Sequence, residues 1–152
     1  MTACQAHAIM PHMRVERLLR LMNILLKRET NIPKGKVKMY CVGVNKKEIL
    51  IGENKYIVSK QVKYDYPNFS ALHAELDFFH KAKKENFYPS DIFVFGYRKN
   101  LLKNTRPCLY CASVLNELDF KRVHFFEEGE LITLTKEEFE RELEEEVFKD
   151  YT

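Results

Sequence analysis

Residues 107–134 read PCLYCASVLNELDFKRVHFFEEGELITL, and their spacing decides the fold. Val123–Phe126 and Leu131–Leu134 are both strand-like, and only Glu127-Glu128-Gly129-Glu130 separates them. A parallel return needs a crossover of about a dozen residues or more, so these two strands are antiparallel neighbours if they pair. Upstream, Pro107 suits the first turn of a helix over 107–119, with Val114, Leu115 and Leu118 on its inner face. Downstream, Thr135 and Glu138 form a capping box for a last helix over about 135–149, with Phe139, Leu143 and Val147 as its apolar stripe.

The same reading extends toward the N-terminus. Ile92–Phe95 is an unbroken apolar run of strand length, expected to be a central strand buried on both faces. Ser70 is a plausible N-cap for a helix running to about Asn86, with Leu72, Leu76, Phe79 and Ala82 inside. Residues 53–69 read as a polar and aromatic loop. Val37–Val44 and Glu48–Gly52 read as a hairpin turning at Asn45-Lys46-Lys47. Before the punctuation of Pro33 and Gly35, apolar residues from Met13 to Leu26 recur at helical period, giving an N-terminal helix over about 12–28. The element order is α-β-β-α-β-α-β-β-α: an α/β layered domain whose mixed sheet carries helices on both faces.

The 152 residues (18.1 kDa) suffice for one domain, expected over 1–152, and are too few for two ordinary ones. A hydrophobic content of 45% with 31% charged residues fits a soluble globular chain, and five Gly with five Pro disfavour low-complexity linkers. No apolar run approaches the roughly 20 residues that span a bilayer, and MTACQAHAIMPHM has neither a basic leader nor an apolar core. The expectation is a cytoplasmic protein, with a nuclear location open. The net charge of +3 hides an asymmetry: residues 127–152 hold 3 Lys/Arg against 11 Asp/Glu, whereas residues 1–126 hold 22 against 11. A basic body attracts phosphates on a nucleotide or a nucleic acid, and an ordinary solvated surface with an acidic terminal helix accounts for it equally well. Cysteines in such a chain are not a disulfide framework. Cys41 reads as a buried structural thiol in a strand, and Cys4 lies near the N-terminus.

One set of residues carries chemistry: His73-Ala74-Glu75 at one helix start and Pro107-Cys108-Leu109-Tyr110-Cys111 at the next. Zn²⁺ favours imidazole and thiolate ligands in tetrahedral array, and a catalytic site has three protein ligands with the fourth position left for water. His73, Cys108 and Cys111 supply three, for one ion per chain. Helix N-termini favour the thiolate form. Glu75, two residues beyond the imidazole, projects to a different side and is placed to move protons as a general acid/base.

H-A-E followed 32 residues later by P-C-L-Y-C resembles the signature of the cytidine deaminase-like zinc-dependent deaminases. The resemblance covers about residues 37–134. It implies a three-layer α-β-α domain with a five-stranded mixed sheet in order 2-1-3-4-5, ending in an antiparallel hairpin. It also implies zinc on His73, Cys108 and Cys111, and Glu75 as the catalytic acid/base. The family's Gly-x-Asn at the end of the second strand, whose Asn contacts sugar or base, is matched by Gly52-Glu53-Asn54. Ala74, inside the H-A-E motif, is expected against the substrate. PCLYCASVLNELDFKRVHFF is similar to deoxycytidylate-type and viral deaminase-like proteins. The terminal hairpin resembles the cytidine deaminase branch instead, because the deoxycytidylate, tRNA adenosine and nucleic-acid-editing deaminases insert a helix there and run the last strand parallel. The implied activity is hydrolytic conversion of a cytosine-type base to uracil, on a free nucleoside or its nucleotide. The alternatives are editing of single-stranded DNA or RNA, and a non-catalytic zinc module. Homo-oligomers are a property of the family.

Each motif has a plainer reading. A lone CxxC can be a redox pair or half of a structural zinc site, which needs a fourth protein ligand; His124, His80 and Cys41 are the candidates. Gly52-x-Asn54 can be an ordinary turn. Arg106, before the Pro-Cys motif, faces either a substrate phosphate or a solvent salt bridge. Arg98, Lys99 and Lys103 collect phosphate or serve solubility. Tyr64, Tyr66 and Phe69 stack on a base or cover the core edge.

Overall fold

The middle of the sheet is β3, Asp91–Arg98, buried at every position but its last. The structure, a computed structural model, describes residues 12–27, 35–46, 48–56, 72–99 and 101–150. β3 pairs antiparallel with β1 (Lys38–Val44) and parallel with β5 (Arg122–Glu127). β2 (Ile49–Glu53) pairs with β1, and β6 (Glu130–Thr135) with β5, both antiparallel, so the order is β2-β1-β3-β5-β6. That is the expected order of the five principal strands. The sheet has a sixth, β4 (Leu101–Leu102), folded back antiparallel onto the end of β3 after Lys99 at φ 52°. Two residues are too few to show a period, which is why this strand was illegible in the sequence.

The β5–β6 hairpin turns in two residues, Glu128 (φ 52°) and Gly129 (φ 81°). Positive φ at both central positions twists the turn the way paired strands twist. The β1–β2 turn is tied by Asn45, whose Oδ1 accepts the Glu48 N–H at 2.8 Å.

Alternation along the strands builds two cores. Cys41, Ile92, Val94, Val123 and Phe125 face one side, covered by Phe78 and Ala82 of α2 (Ala74–Glu85), Leu115 of α3 (Leu109–Leu115) and Phe139 of α4 (Lys136–Asp150). Tyr40, Val42, Phe93, Phe95 and Phe126 face the other side, covered by Leu18 and Leu25 of α1 (His12–Leu26). The result is three layers, α1 on one face and α2, α3 and α4 on the other. Phe78, Phe93, Phe95 and Phe125 are at most 1% exposed, and each contributes roughly 1.5–3 kcal/mol by burial.

Helix limits differ from the sequence reading at two starts. α2 begins at Ala74, with His73 extended in the N-cap position (φ −72°, ψ 148°); Ser70 lies outside the described residues, as do Tyr64, Tyr66, Phe69 and Cys4. α3 is confined to Leu109–Leu115: Cys108 is its N-cap, so Pro107 stands one position before the cap, and i→i−3 bonds from Glu117 and Leu118 close its end. The capping box of α4 forms as read, with Thr135 N–H donating to Glu138 Oε1 at 3.0 Å and Glu138 N–H to Thr135 Oγ1 at 3.2 Å.

Candidate metal centre

The end of β2 and the start of α2 touch at Gly52. A Cβ there would lie 2.6 Å from Phe78 N and 2.7 Å from Ala74 O, so only glycine lets the first turn of the helix rest on the strand. Two further contacts fix the junction. Lys55 and Leu72 form a backbone bridge with bonds of 3.0 and 2.9 Å, immediately before His73. Asp77 Oδ2 accepts the Glu53 N–H at 2.9 Å, and its carboxylate pairs with Lys81 at 3.1 Å and Lys55 at 3.5 Å. His73 is thereby held at the head of α2 with its side chain free of any capping bond to the helix.

The second arm starts at the ends of the parallel strands. Thr105 Oγ1 donates to Val94 O of β3 at 2.8 Å and accepts the Phe126 N–H of β5 at 2.9 Å. Thr105 N–H also donates to Phe126 O at 2.8 Å. This stitching brings Pro107 inward and sets Cys108 at the head of α3, where it too makes no side-chain cap. Cys111 follows one turn later, fully buried. Both motifs therefore meet at helix N-termini beyond the carboxyl ends of β3 and β5, where open α/β sheets place their ligands.

The three donor atoms converge. His73 Nδ1 lies 3.3 Å from Cys111 Sγ and 4.0 Å from Cys108 Sγ, and all three ligand atoms lie within 4.8 Å of one another. Tetrahedral zinc with its usual bond lengths sets N···S at about 3.6 Å and S···S at about 3.8 Å, so the donor set fits that ion. Without metal, the Cys108 thiol is lowered to about 4, first by the hydrogen bond from Cys111 and then by that from His73. Cys111 is raised by donating to Cys108 and by burial, and His73 is raised by its hydrogen bond to Cys108. The cluster is already arranged around one negative sulfur.

Glu75 is 5% exposed, and its carboxyl sits within hydrogen-bonding reach of the Cys111 thiol. Burial pushes its pKa up. Among the described residues no fourth His, Cys, Asp or Glu joins the ligand group. His124 is a core histidine: its Nδ1 meets Thr133 Oγ1 and its Nε2 meets Asp91 Oδ1, both at 2.9 Å. Cys41 is packed in the core and His80 is exposed.

The remaining residues are placed as follows. Ala74 is 1% exposed at the first position of α2, between His73 and Glu75. Asn54 is 8% exposed, and its amide clamps the start of β1, accepting the Met39 N–H at 2.8 Å and donating to Val37 O at 2.9 Å. Arg106 stacks on Phe125 at 4.7 Å and pairs with Glu127 at 2.8 Å and Glu142 at 2.6 Å, the salt-bridge half of its two readings. Arg98 and Lys99 belong to the β3–β4 turn, and Lys103 N–H donates to Gly96 O. Asp77 and Thr105 were missed. Asp77 had a signal, because His73, Asp77 and Lys81 recur at i, i+4, i+8 and put a polar stripe on one helix face. Thr105 had none, since its role depends on two strand ends meeting.

The sequence matches the cytidine and deoxycytidylate deaminase zinc-binding region over residues 14–127. A search of curated proteins finds no match. Among solved structures the chain is similar to the cytidine deaminase from Burkholderia pseudomallei, with a TM-score of 0.52 and 17% identity over 76% of this chain and 87% of that one. At that identity the likeness concerns the fold. The match spans β1 to β5 and includes both arms of the His73, Cys108 and Cys111 cluster. The chain belongs to the cytidine and deoxycytidylate deaminase zinc-binding family.

Proposed function

We propose that the protein is a zinc-dependent hydrolytic deaminase that converts a cytosine-type base to uracil on free (deoxy)cytidine or its nucleotide. The observation that carries this reading is the buried Glu75 carboxyl beside a three-ligand cluster with no fourth protein ligand among the described residues. Bound by His73, Cys108 and Cys111, zinc supplies a Lewis acid that brings the pKa of water down to about 7. Glu75 takes one proton from the water and passes it to the ring nitrogen, then takes the second from the hydroxyl now on the ring carbon and gives it to the departing amino group, leaving a carbonyl. The C–O bond forms, the C–N bond breaks, and ammonia leaves. Burial suits Glu75 to this cycle because it raises the pKa of the carboxyl and so eases its passage from charged to neutral.

Ala74 is assigned to the pocket wall. Asn54 is assigned to the sugar or base through the lone pair and N–H its two structural bonds leave over. For Arg106, pairing with two glutamates favours the structural role over a phosphate contact. No described helix is long and apolar enough to cross a membrane. A cytoplasmic site of action remains our reading of the sequence.

The test is metal analysis followed by an ammonia-release screen over cytidine, deoxycytidine, their monophosphates, adenosine and single-stranded oligonucleotides. We expect release from a cytosine nucleoside or nucleotide. Release from oligonucleotides alone moves the assignment to nucleic-acid editing. Unit zinc with no ammonia from any substrate removes the enzyme reading in favour of a non-catalytic module.

A further inference from the structure

Asp77 sits one turn after His73 on α2, its N–H donating to His73 O at 3.1 Å. It is 6% exposed, so its carboxylate faces protein rather than solvent. Oδ2 accepts the Glu53 N–H at 2.9 Å and lies 3.1 Å from Lys81 Nζ, and Oδ1 lies 3.5 Å from Lys55 Nζ. Two of these three partners, Glu53 and Lys55, are the chain neighbours of Asn54, one on each side.

The Glu53 N–H has no strand to bond. β2 is the outermost described strand on its side of the sheet, and the next N–H along, that of Asn54, points inward to Met39 O at 3.2 Å. Successive N–H groups of a strand point to opposite sides, so the Glu53 N–H points off the sheet edge. The Asp77 carboxylate supplies the acceptor that a further strand would have supplied. On the inner side the Asn54 amide accepts the Met39 N–H and donates to Val37 O, which also accepts the Tyr56 hydroxyl at 2.9 Å. Asn54 is gripped from within by its own amide, and from without by Asp77 through its two neighbours.

We infer that Asp77 is a positioning residue for substrate binding: its carboxylate fixes the segment from Glu53 to Lys55, and so the Asn54 amide that meets the sugar or base. The inference rests on the deaminase reading and on the role assigned to Asn54 within it. The metal centre does not depend on this grip. The Gly52 contact and the backbone bridge between Lys55 and Leu72 hold His73 without using the carboxylate. Loss of Asp77 accordingly separates substrate affinity from zinc binding and from the proton transfers of Glu75.

The experiment compares full-length, zinc-loaded wild type, Asp77→Ala and Asp77→Asn. Steady-state kinetics are measured on the cytosine nucleoside or nucleotide that wild type turns over, and hydrogen exchange of the Asn54 side-chain amide is followed by NMR. In Asp77→Ala, KM is expected to rise about 10-fold, the effect of one lost hydrogen bond, with kcat within about threefold of wild type. Zinc content is expected to be unchanged, and the Asn54 amide to exchange at least about 10-fold faster. Asp77→Asn keeps an oxygen for the Glu53 N–H and gives up only the pairs to two half-exposed lysines, so it is expected to restore both KM and the slow exchange. A merely structural role would lower the melting temperature without raising KM. Wild-type KM or wild-type exchange in Asp77→Ala overturns the inference, as does zinc lost in step with KM or an Asp77→Asn chain that restores neither readout. Wild type that turns over no substrate sinks the deaminase reading instead, and the Asn54 exchange rate then decides by itself whether Asp77 holds the segment. Should Asp77→Ala fail to fold, Asp77→Ser takes its place, since its hydroxyl stands one bond short of the Glu53 N–H.

Discussion

His73 Nδ1 and Cys111 Sγ lie 3.3 Å apart although 38 residues separate them in the chain. The close meeting of two helix starts brings them there, and the distance is near the roughly 3.6 Å that a shared tetrahedral ion sets. Cys111→Ser is therefore expected to lower zinc affinity by at least about 100-fold, since even changes outside the ligand shell cost 10–100-fold. Elemental analysis after dialysis checks this. Wild-type zinc content in the variant would remove Cys111 from the ligand set.

Glu75 gives a different outcome from its neighbours. Glu75→Gln keeps the side-chain shape and leaves His73, Cys108 and Cys111 untouched, so zinc content is expected to stay at the wild-type level. The rate is expected to fall by about 10²–10⁴-fold, the usual contribution of a positioned acid/base. Turnover within a few-fold of wild type would assign proton transfer to another group.

The site was legible where chemistry and spacing coincide. His73, Glu75, Cys108 and Cys111 stand out because imidazole, carboxylate and thiols at helix starts carry their own signal, and the structure gathers all four. The antiparallel pairing of the last two strands was legible for a related reason, since the short gap between them admits only that pairing, whereas the order of the whole sheet came from the family resemblance. What stayed hidden depends on contacts between segments distant in sequence. Arg106 carried two readings because the partners that hold it, Glu127 and Glu142, are brought near only by the β5–α4 packing. The exact first residues of the two helices, Ala74 and Leu109, differ from the Ser70 and Pro107 readings because His73 and Cys108, which lack strong capping propensity, occupy the N-cap positions.

Gly52 tests whether the junction sets the site. In Gly52→Ala the new methyl meets backbone atoms, Phe78 N at 2.6 Å and Ala74 O at 2.7 Å, which cannot rotate away. The first turn of α2 must lift, at a cost of about 1–3 kcal/mol. Since that turn carries His73, zinc affinity is expected to fall along with the melting temperature. A variant that melts lower yet binds zinc as tightly as wild type would separate the junction from the metal centre.

Asp91 belongs to stability alone. It is fully buried at the start of β3, and its Oδ1 meets Arg122 Nε at 3.0 Å and His124 Nε2 at 2.9 Å. Asp91→Ala leaves the Arg122 charge without its carboxylate and His124 without its acceptor, an outcome that typically costs 3–5 kcal/mol. Chemical denaturation measures the loss. The rate per folded molecule is expected to be unchanged, because neither partner joins the metal cluster.

The capping box of α4 predicts a pH dependence whose sign is fixed. The Thr135 N–H donates to the Glu138 carboxylate and holds its pKa below the ordinary 4.5. A carboxyl with a depressed folded-state pKa contributes stability above its unfolded value and loses it as pH falls through the folded one. The melting-temperature advantage of wild type over Glu138→Gln should be full at neutral pH, begin to shrink near about 4.5, and vanish at lower pH. Thr135→Ala removes the reciprocal acceptor at every pH, at about 0.5–2 kcal/mol. In a chain of this length each kcal/mol lowers the melting temperature by roughly 2–4 °C, so calorimetry over a pH series resolves both effects. An advantage over Glu138→Gln that grows on acidification would mean that Glu138 is held in its neutral form, and the box would have to be redrawn with the carboxyl as donor.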